Sequence, residues 1–308
     1  QRERIEQLLQ AWLAHALRVE GLLLEAGAAL DRAGIAFRVL KGVALSHVAY
    51  PDPSWRVFGD LDLLVPGDRL SAAAQVLQDA LGARRPEPEL RPGFDDRFGK
   101  EAMLDTADGL ELDLHRTFVD GALGLSIDLD DLFAGGTAFT VGRREVEALP
   151  AGALVLHAAY AAVVADWPPR LASVRDLVQA VVVVDPPASE VIATARRWGA
   201  RALLARALTA AWAELEPPER PALVDWAEAF RPTRREQLVL AAHVGPQRAT
   251  TRHLAATLVL PGWGDRAAYL RAVAWPQRSY LEARGFGRAG HAERALARLR
   301  PGRRRPSP

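Results

Sequence analysis

The chain has 308 residues with 39 basic and 38 acidic side chains, a net charge of +1, so no overall field calls for a polyanion and a nucleic-acid partner is not expected. It has no cysteine, which excludes disulfides, thiolate zinc sites and cysteine nucleophiles and fits a reducing cytoplasm. Its longest apolar stretches, such as 158–165 and 180–184, are too short to cross a bilayer, and no signal peptide is expected at this N-terminus, so the reading is a soluble, cytoplasmic protein.

Leu8, Leu9, Trp12, Leu13, Ala16 and Leu17 follow helical spacing and predict a long amphipathic helix over 1–34, ending near Gly34. Residues 35–40 read as a strand and 42–47 as the start of a helix, which places Lys41-Gly42 in a strand-to-helix turn. Pro51-Asp52-Pro53-Ser54 makes a rigid turn. A second strand is expected over 60–65 and a helix over 69–81. The Pro-, Arg- and acid-rich stretch 84–99 reads as a loop, 101–104 as a further strand, 105–109 as a hairpin turn and 110–115 as a strand. Beyond Pro150 the pattern is helical almost throughout, over 154–165, 171–184, 188–198 and 200–214. Two domains are therefore expected, 35–149 and 150–299, with 300–308 as a disordered tail.

The chemistry concentrates in the first of them. In Asp60-Leu61-Asp62-Leu63-Leu64-Val65 the two-residue period of a strand sends Asp60 and Asp62 out on one face, where two carboxylates can share a divalent metal. In Leu110-Glu111-Leu112-Asp113-Leu114-His115 the leucines turn inward and Glu111, Asp113 and His115 share the other face; Asp113, at the middle, is the expected third carboxylate. Three carboxylates suit Mg²⁺, a hard cation that is held by a few carboxylates plus substrate phosphates. In a two-metal site one ion activates the acceptor oxygen and the other escorts the leaving group, which is what nucleotidyl transfer from a nucleoside triphosphate needs.

Lys41-Gly42, at a helix start, offers backbone N–H groups and an ammonium to a triphosphate, and Gly42 allows close approach. Ser46 follows one turn along. Arg56 either clamps a phosphate or pairs with one of the aspartates. His115 has no second histidine at ligand spacing and reads as a hydrogen-bonding partner of the site. Lys41 and Lys100 are the chain's two lysines, which singles both out for inspection. No Walker loop, dinucleotide fingerprint, Gly-x-Ser-x-Gly or His-Glu-x-x-His is present.

Leu40-Lys41-Gly42-Val43-Ala44-Leu45, Tyr50-Pro51-Asp52-Pro53, Arg56, Gly59-Asp60-Leu61-Asp62-Leu63-Leu64-Val65 and Leu112-Asp113-Leu114-His115 together resemble the bacterial uncharacterised nucleotidyltransferase family of the polymerase-beta-like superfamily. Leu156-His157-Ala158-Ala159 with Trp167, Arg170-Leu171 and Asp176-Leu177, and the stretch from Ala274 to Leu281, are similar to later elements of that family. The resemblance implies an α+β fold, with a small mixed β-sheet nucleotidyltransferase core, flanking helices and a mostly α-helical domain beyond. It also implies a metal site at Asp60, Asp62 and Asp113. The Gly-Ser turn usual in the superfamily is replaced by Lys41-Gly42. The expected activity is Mg²⁺-dependent transfer of a nucleoside monophosphate from a nucleoside triphosphate to a hydroxyl or phosphate of a small-molecule or peptide acceptor. The alternatives are the same transfer to protein or RNA, or a non-catalytic, partner-binding member of the fold.

Overall fold

The computed structural model describes residues 2–165, 169–244 and 249–286. Trp167, the end of the expected helical domain and the tail at 300–308 lie outside them. Helix α1 (Arg2–Arg32) ends just before Gly34, whose φ of 64° is left-handed backbone that costs glycine little. Its apolar face is buried only in the C-terminal half. Val19, Leu22, Leu23, Ala26 and Leu30 are buried, whereas Ile5, Leu8, Leu9 and Leu17 face outward.

Six strands follow: β1 (Arg38–Val39), β2 (Leu61–Leu64), β3 (Glu101–Asp105), β4 (Glu111–His115), β5 (Thr137–Val141) and β6 (Arg144–Ala148). They form one mixed sheet in the order β3-β4-β2-β1-β6-β5. The β2–β4 and β1–β6 pairs are parallel and the other three antiparallel. Helices α2 (Lys41–Val48), α3 (Leu70–Leu81), α4 (Phe94–Phe98) and α5 (Ala122–Leu125) connect them. All four residues of β2 are buried, the expected state of an inner strand with a parallel neighbour. Asp62 is thus a carboxylate in the middle of a buried strand and needs a partner there.

Three details differ from the sequence pattern. The strand over 35–40 is reduced to Arg38–Val39, the two residues whose Cα partners lie on β2. Asp60 lies on the bend just before β2. The expected loop at 84–99 contains α4, whose Phe94 and Phe98 bury themselves against Tyr269 with ring centroids 5.8 and 5.6 Å away. The β5–β6 hairpin, unassigned in the sequence pattern, turns at Gly142, where φ is 61°.

Among the described residues the remaining elements are helical: α6 (Ala151–Tyr160), α7 (Leu171–Gln179), α8 (Ala188–Arg197), α9 (Arg201–Leu215), α10 (Ala222–Ala229), α11 (Arg234–Ala241), α12 (Ala249–Val259), α13 (Trp263–Ala274) and α14 (Arg278–Ala283). π-helical turns extend α6 over Ala161–Ala165 and α7 over Ala180–Val184. The main hydrophobic core includes buried residues of α1, the sheet, α6, α9 and α10, so packing is continuous across the change at Pro150. A smaller core joins α4 to α12 and α13. No helix among the described residues is long and apolar enough to cross a membrane.

Helix α2 is seated by a glycine. A Cβ built on Gly42 would stand 2.3 Å from Phe58 Cβ and 2.9 Å from its Cγ, closer than packed atoms allow. Alanine is the better helix former by about 1 kcal/mol, but displacing Phe58 in a filled core costs about 1–3 kcal/mol. Gly42→Ala is therefore expected to lower the thermal midpoint, and a midpoint at or above wild type in calorimetry would contradict this packing.

Candidate functional site

The amide of Leu40 donates to the carbonyl of Asp62 at 2.9 Å, which places the start of α2 beside the middle of β2. Lys41 then adopts a left-handed φ of 40°, a conformation that costs a side-chain-bearing residue about 1 kcal/mol or more. Its ammonium forms an ion pair with Asp62 Oδ1. The parallel register of β2 and β4 sets Asp62 opposite Asp113 and Leu64 opposite His115. His115 Nε2 lies 2.7 Å from the same Asp62 Oδ1.

On the far side, β3 sets Glu101 opposite His115, with Glu101 Oε2 3.2 Å from His115 Nδ1. Lys100 Nζ stands 2.5 Å from that oxygen. Lys41, Asp62, His115, Glu101 and Lys100 therefore form a row across three adjacent strands in which acids alternate with nitrogen bases.

The electrostatics follow from this row. Burial pushes the Asp62 carboxyl up, but the His115 hydrogen bond and the Lys41 ammonium outweigh it and hold it well below the usual carboxylate range. Burial lowers Lys41, yet the charge of Asp62, reinforced by Asp60 and Asp113, leaves it raised. Burial and then the Asp62 charge raise Asp60, against Lys41 and Arg56. Burial, Glu101 and Asp62 push Asp113 up to about 7 in spite of the two lysines. Burial and then the Lys41 charge lower His115, against the hydrogen bond and charge of Asp62, which raise it.

The residues fit a hard cation. Asp62 Oδ2 is buried with no hydrogen-bond partner, although the other oxygen of the same carboxylate has two. One donor atom each from Asp62, Asp113 and His115 lies within 4.8 Å of the others. Because His115 Nε2 already engages Asp62 Oδ1, the oxygen donors are the ones free to serve, the set that magnesium and manganese favour. Asp60 is outside that group of three, and its charge still acts on Lys41 and Asp62.

The other expected site residues are placed elsewhere. Ser46 is wholly buried and its hydroxyl donates to the Val43 carbonyl at 2.7 Å, so the serine satisfies its own helix rather than facing a triphosphate. Arg56 pairs with neither aspartate of the motif. Its Nε and Nη2 donate to the two oxygens of Asp176 on α7, each at 2.8 Å, and the Tyr50 hydroxyl donates to Asp176 at 2.6 Å. That network ties the approach to β2 to the helical half. Gly42 allows close approach of Phe58. Lys100 and Glu101 complete the row without having been assigned a role from the pattern, and the signal for Lys100 was the scarcity of lysine.

The family model described as uncharacterised nucleotidyltransferase matches residues 1–214. No curated protein matches the chain. Among solved structures, the solution structure of the antibiotic-resistance factor ANT(2'')-Ia is 19% identical, with a TM-score of 0.41, and the match covers 64% of this chain and 94% of that one. A crystal structure of ANT(2'')-Ia in complex with adenylyl-2''-tobramycin is 18% identical, at a TM-score of 0.41, over 59% of this chain and 97% of that one. An antigenic nucleotidyltransferase-like protein from Paracoccidioides brasiliensis is 16% identical, at a TM-score of 0.39, over 68% and 93% of the two chains.

Proposed function

The chain belongs to the uncharacterised nucleotidyltransferase family, and on that premise we propose that it transfers a nucleoside monophosphate from a nucleoside triphosphate to a hydroxyl or phosphate of a small-molecule or peptide acceptor, with Mg²⁺ held by Asp60, Asp62 and Asp113. The observation that carries this reading is the unpartnered, buried Oδ2 of Asp62, on a strand in register with Asp113. A buried carboxylate oxygen left unsatisfied is costly, and a cation removes that cost.

When bound, the divalent ions of such a site lower the charge on the transferring phosphoryl group and on the departing pyrophosphate. The chain's own residues prepare the rest. His115 fixes Asp62 in one rotamer through the 2.7 Å hydrogen bond. Lys41, amid the charges of Asp60, Asp62 and Asp113, carries an ammonium that a triphosphate can engage. Asp113, which burial and the charges of Glu101 and Asp62 push up to about 7 in the metal-free chain, would be held ionised as a ligand of the cation. A cleft of about 420 Å³ between the 85–103 segment and α12–α14 has the volume of a small-molecule site and is where the acceptor is expected. The absence of cysteine fits action in a reducing cytoplasm.

Thermal unfolding with each of the four ribonucleoside triphosphates, with and without Mg²⁺, tests this reading. A triphosphate at a hundred times its Kd stabilises by about 2.7 kcal/mol. The expected result is a metal-dependent rise for at least one of them that Asp60→Asn combined with Asp62→Asn abolishes. A rise that survives this double substitution would place the donor somewhere else.

A further inference from the structure

The first half of α1 stands clear of the body. Residues 3–14 are all exposed, and contact with the body begins at His15, which donates to the Gly59 carbonyl at 2.9 Å, and at Ala16, which packs on the main core. Yet Ile5, Leu8, Leu9, Trp12 and Leu13 share one face of this free segment, each between 38% and 61% exposed. Side chains of that size at those exposures make a patch of about 500 Å², toward the top of the range that a monomer shows. A helix of this length surrounded by water is also marginal by itself, and in proteins it is stabilised by packing its apolar face.

The spacing of that face defines the surface that covers it. Ile5, Leu9, Trp12 and Ala16 follow at steps of four, three and four residues, and the same alternation continues through Val19, Leu23, Ala26 and Leu30, which are buried. A sustained 3.5-residue repeat is the seam that packs against another helix. The body takes the second half of the seam, where α1 lies against α3, and the first half is left for a helix from elsewhere. Charge narrows the choice. No Asp, Glu, Lys or Arg occurs from Gln7 to Leu17, and both signs flank that stretch, Glu3 with Arg4 and Arg18 with Glu20. Helices that lie on a membrane surface are rich in Lys and Arg along their polar face, whereas an uncharged stretch with mixed ends meets a reversed copy of itself without repulsion.

We propose that this half of α1 pairs with the same segment of a second copy of the chain, antiparallel about a two-fold axis between Gln10 and Ala11. Reversal about that point sets Leu9 against Trp12 of the second copy and Ile5 against its Ala16, so in each layer a larger side chain meets a smaller one. Parallel pairing in register stacks Trp12 on Trp12 and leaves Ala16 facing Ala16. The antiparallel arrangement also holds the two bodies about 14 Å apart along the helices, from His15 to the level of Glu6 at about 1.5 Å per residue, so neither obstructs the other. With the polar residues at its margins, the buried face approaches the about 800 Å² that each partner contributes to a stable dimer.

Sedimentation velocity on the full chain, wild type against Leu9→Glu combined with Trp12→Glu, tests the pairing. Wild type is expected at twice the chain's mass at micromolar concentration. The double variant, with the circular dichroism of wild type, is expected as a monomer, its dimer dissociation constant raised at least about a hundredfold. Because the chain has no cysteine, every disulfide formed reports introduced thiols. Oxidation of a mixture of Ile5→Cys and Ala16→Cys chains should join the two kinds. Ile5→Cys alone should not cross-link, since its two copies stand about 16 Å apart, beyond the reach of a disulfide. Monomeric wild type, or a dimer that survives the double substitution, overturns the proposal. Ready cross-linking of Ile5→Cys alone overturns the antiparallel arrangement. Monomeric wild type that sediments with phosphatidylcholine–phosphatidylglycerol vesicles, while the double variant stays in solution, assigns the face to a lipid surface instead.

Discussion

Asp62→Asn is expected to weaken divalent-metal binding more than a hundredfold, whereas His115→Ala weakens it by about 10–100-fold, the usual cost of losing a group that only orients a ligand. The order follows from geometry. Asp62 offers the unpartnered oxygen itself, while His115 acts through its 2.7 Å hydrogen bond to the other oxygen of the same carboxylate. Asparagine keeps the shape and gives up the charge, so Lys41 loses its closest counter-charge and retains only the more distant fields of Asp60 and Asp113. Breaking a buried pair by removing one partner costs about 3–5 kcal/mol. Lys41 keeps about a third of its side chain exposed, so the loss here should fall below that range. Titration of Mn²⁺ into each variant, after circular dichroism has confirmed the fold, measures the hierarchy. Equal losses in the two variants would show that His115 is itself a ligand, and no loss in Asp62→Asn would remove the site from β2.

Much of this arrangement was legible because a strand writes its two faces into alternate positions. Asp62 and Asp113 fall opposite one another, and His115 reaches Asp62 from the same face of β4. That Lys41 stands at the beginning of a helix was also readable, since an apolar strand runs directly into Gly42. What the pattern did not show depends on contacts between distant segments. Arg56 has an aspartate four residues away at Asp60, yet it bonds to Asp176 on α7. Ser46 looks available on a helical wheel, but α2 packs on β2 and β5 and its hydroxyl turns back to Val43.

Glu101 acquires its role only through the antiparallel register that sets it against His115, and no spacing in one strand encodes the neighbour's register. The stretch 84–99 is polar and proline-rich enough to read as a loop. Phe94 and Phe98 are the exceptions, and their partner Tyr269 lies too far along the chain for any local window. The β5–β6 hairpin was written in alternation, with Phe139, Val141, Val146 and Ala148 buried around Gly142. The helical second half was readable from the pattern beyond Pro150, and the small mixed sheet followed from the family resemblance; the shared core across Pro150 was not readable.

Asp113→Asn should reverse sign with conditions, stabilising the metal-free protein while disabling metal binding. Burial and the charges of Glu101 and Asp62 raise the Asp113 pKa to about 7 in the folded state, against about 3.9 for an unperturbed aspartate. The folded chain therefore binds more protons than the unfolded one between these values, and metal-free wild type loses stability as pH rises from about 4 to about 7. Above that window the penalty is complete. Asparagine carries no such titration, so the variant's advantage should be absent near pH 4 and grow by pH 8 to less than the about 4 kcal/mol that the full difference would give, because solvent screens the partly exposed Asp113; this is a few degrees for a chain of this size. The same proton competes with a cation for wild-type Asp113, so divalent-metal affinity should fall about tenfold for each pH unit below 7. Saturating Mg²⁺ at pH 8 then raises the wild-type midpoint and leaves Asp113→Asn where it was, which inverts their order. Midpoint differences that stay constant from pH 4 to pH 8 would mean that Asp113 ionises normally, and the row of charges across β2, β4 and β3 would then not act as a single electrostatic unit.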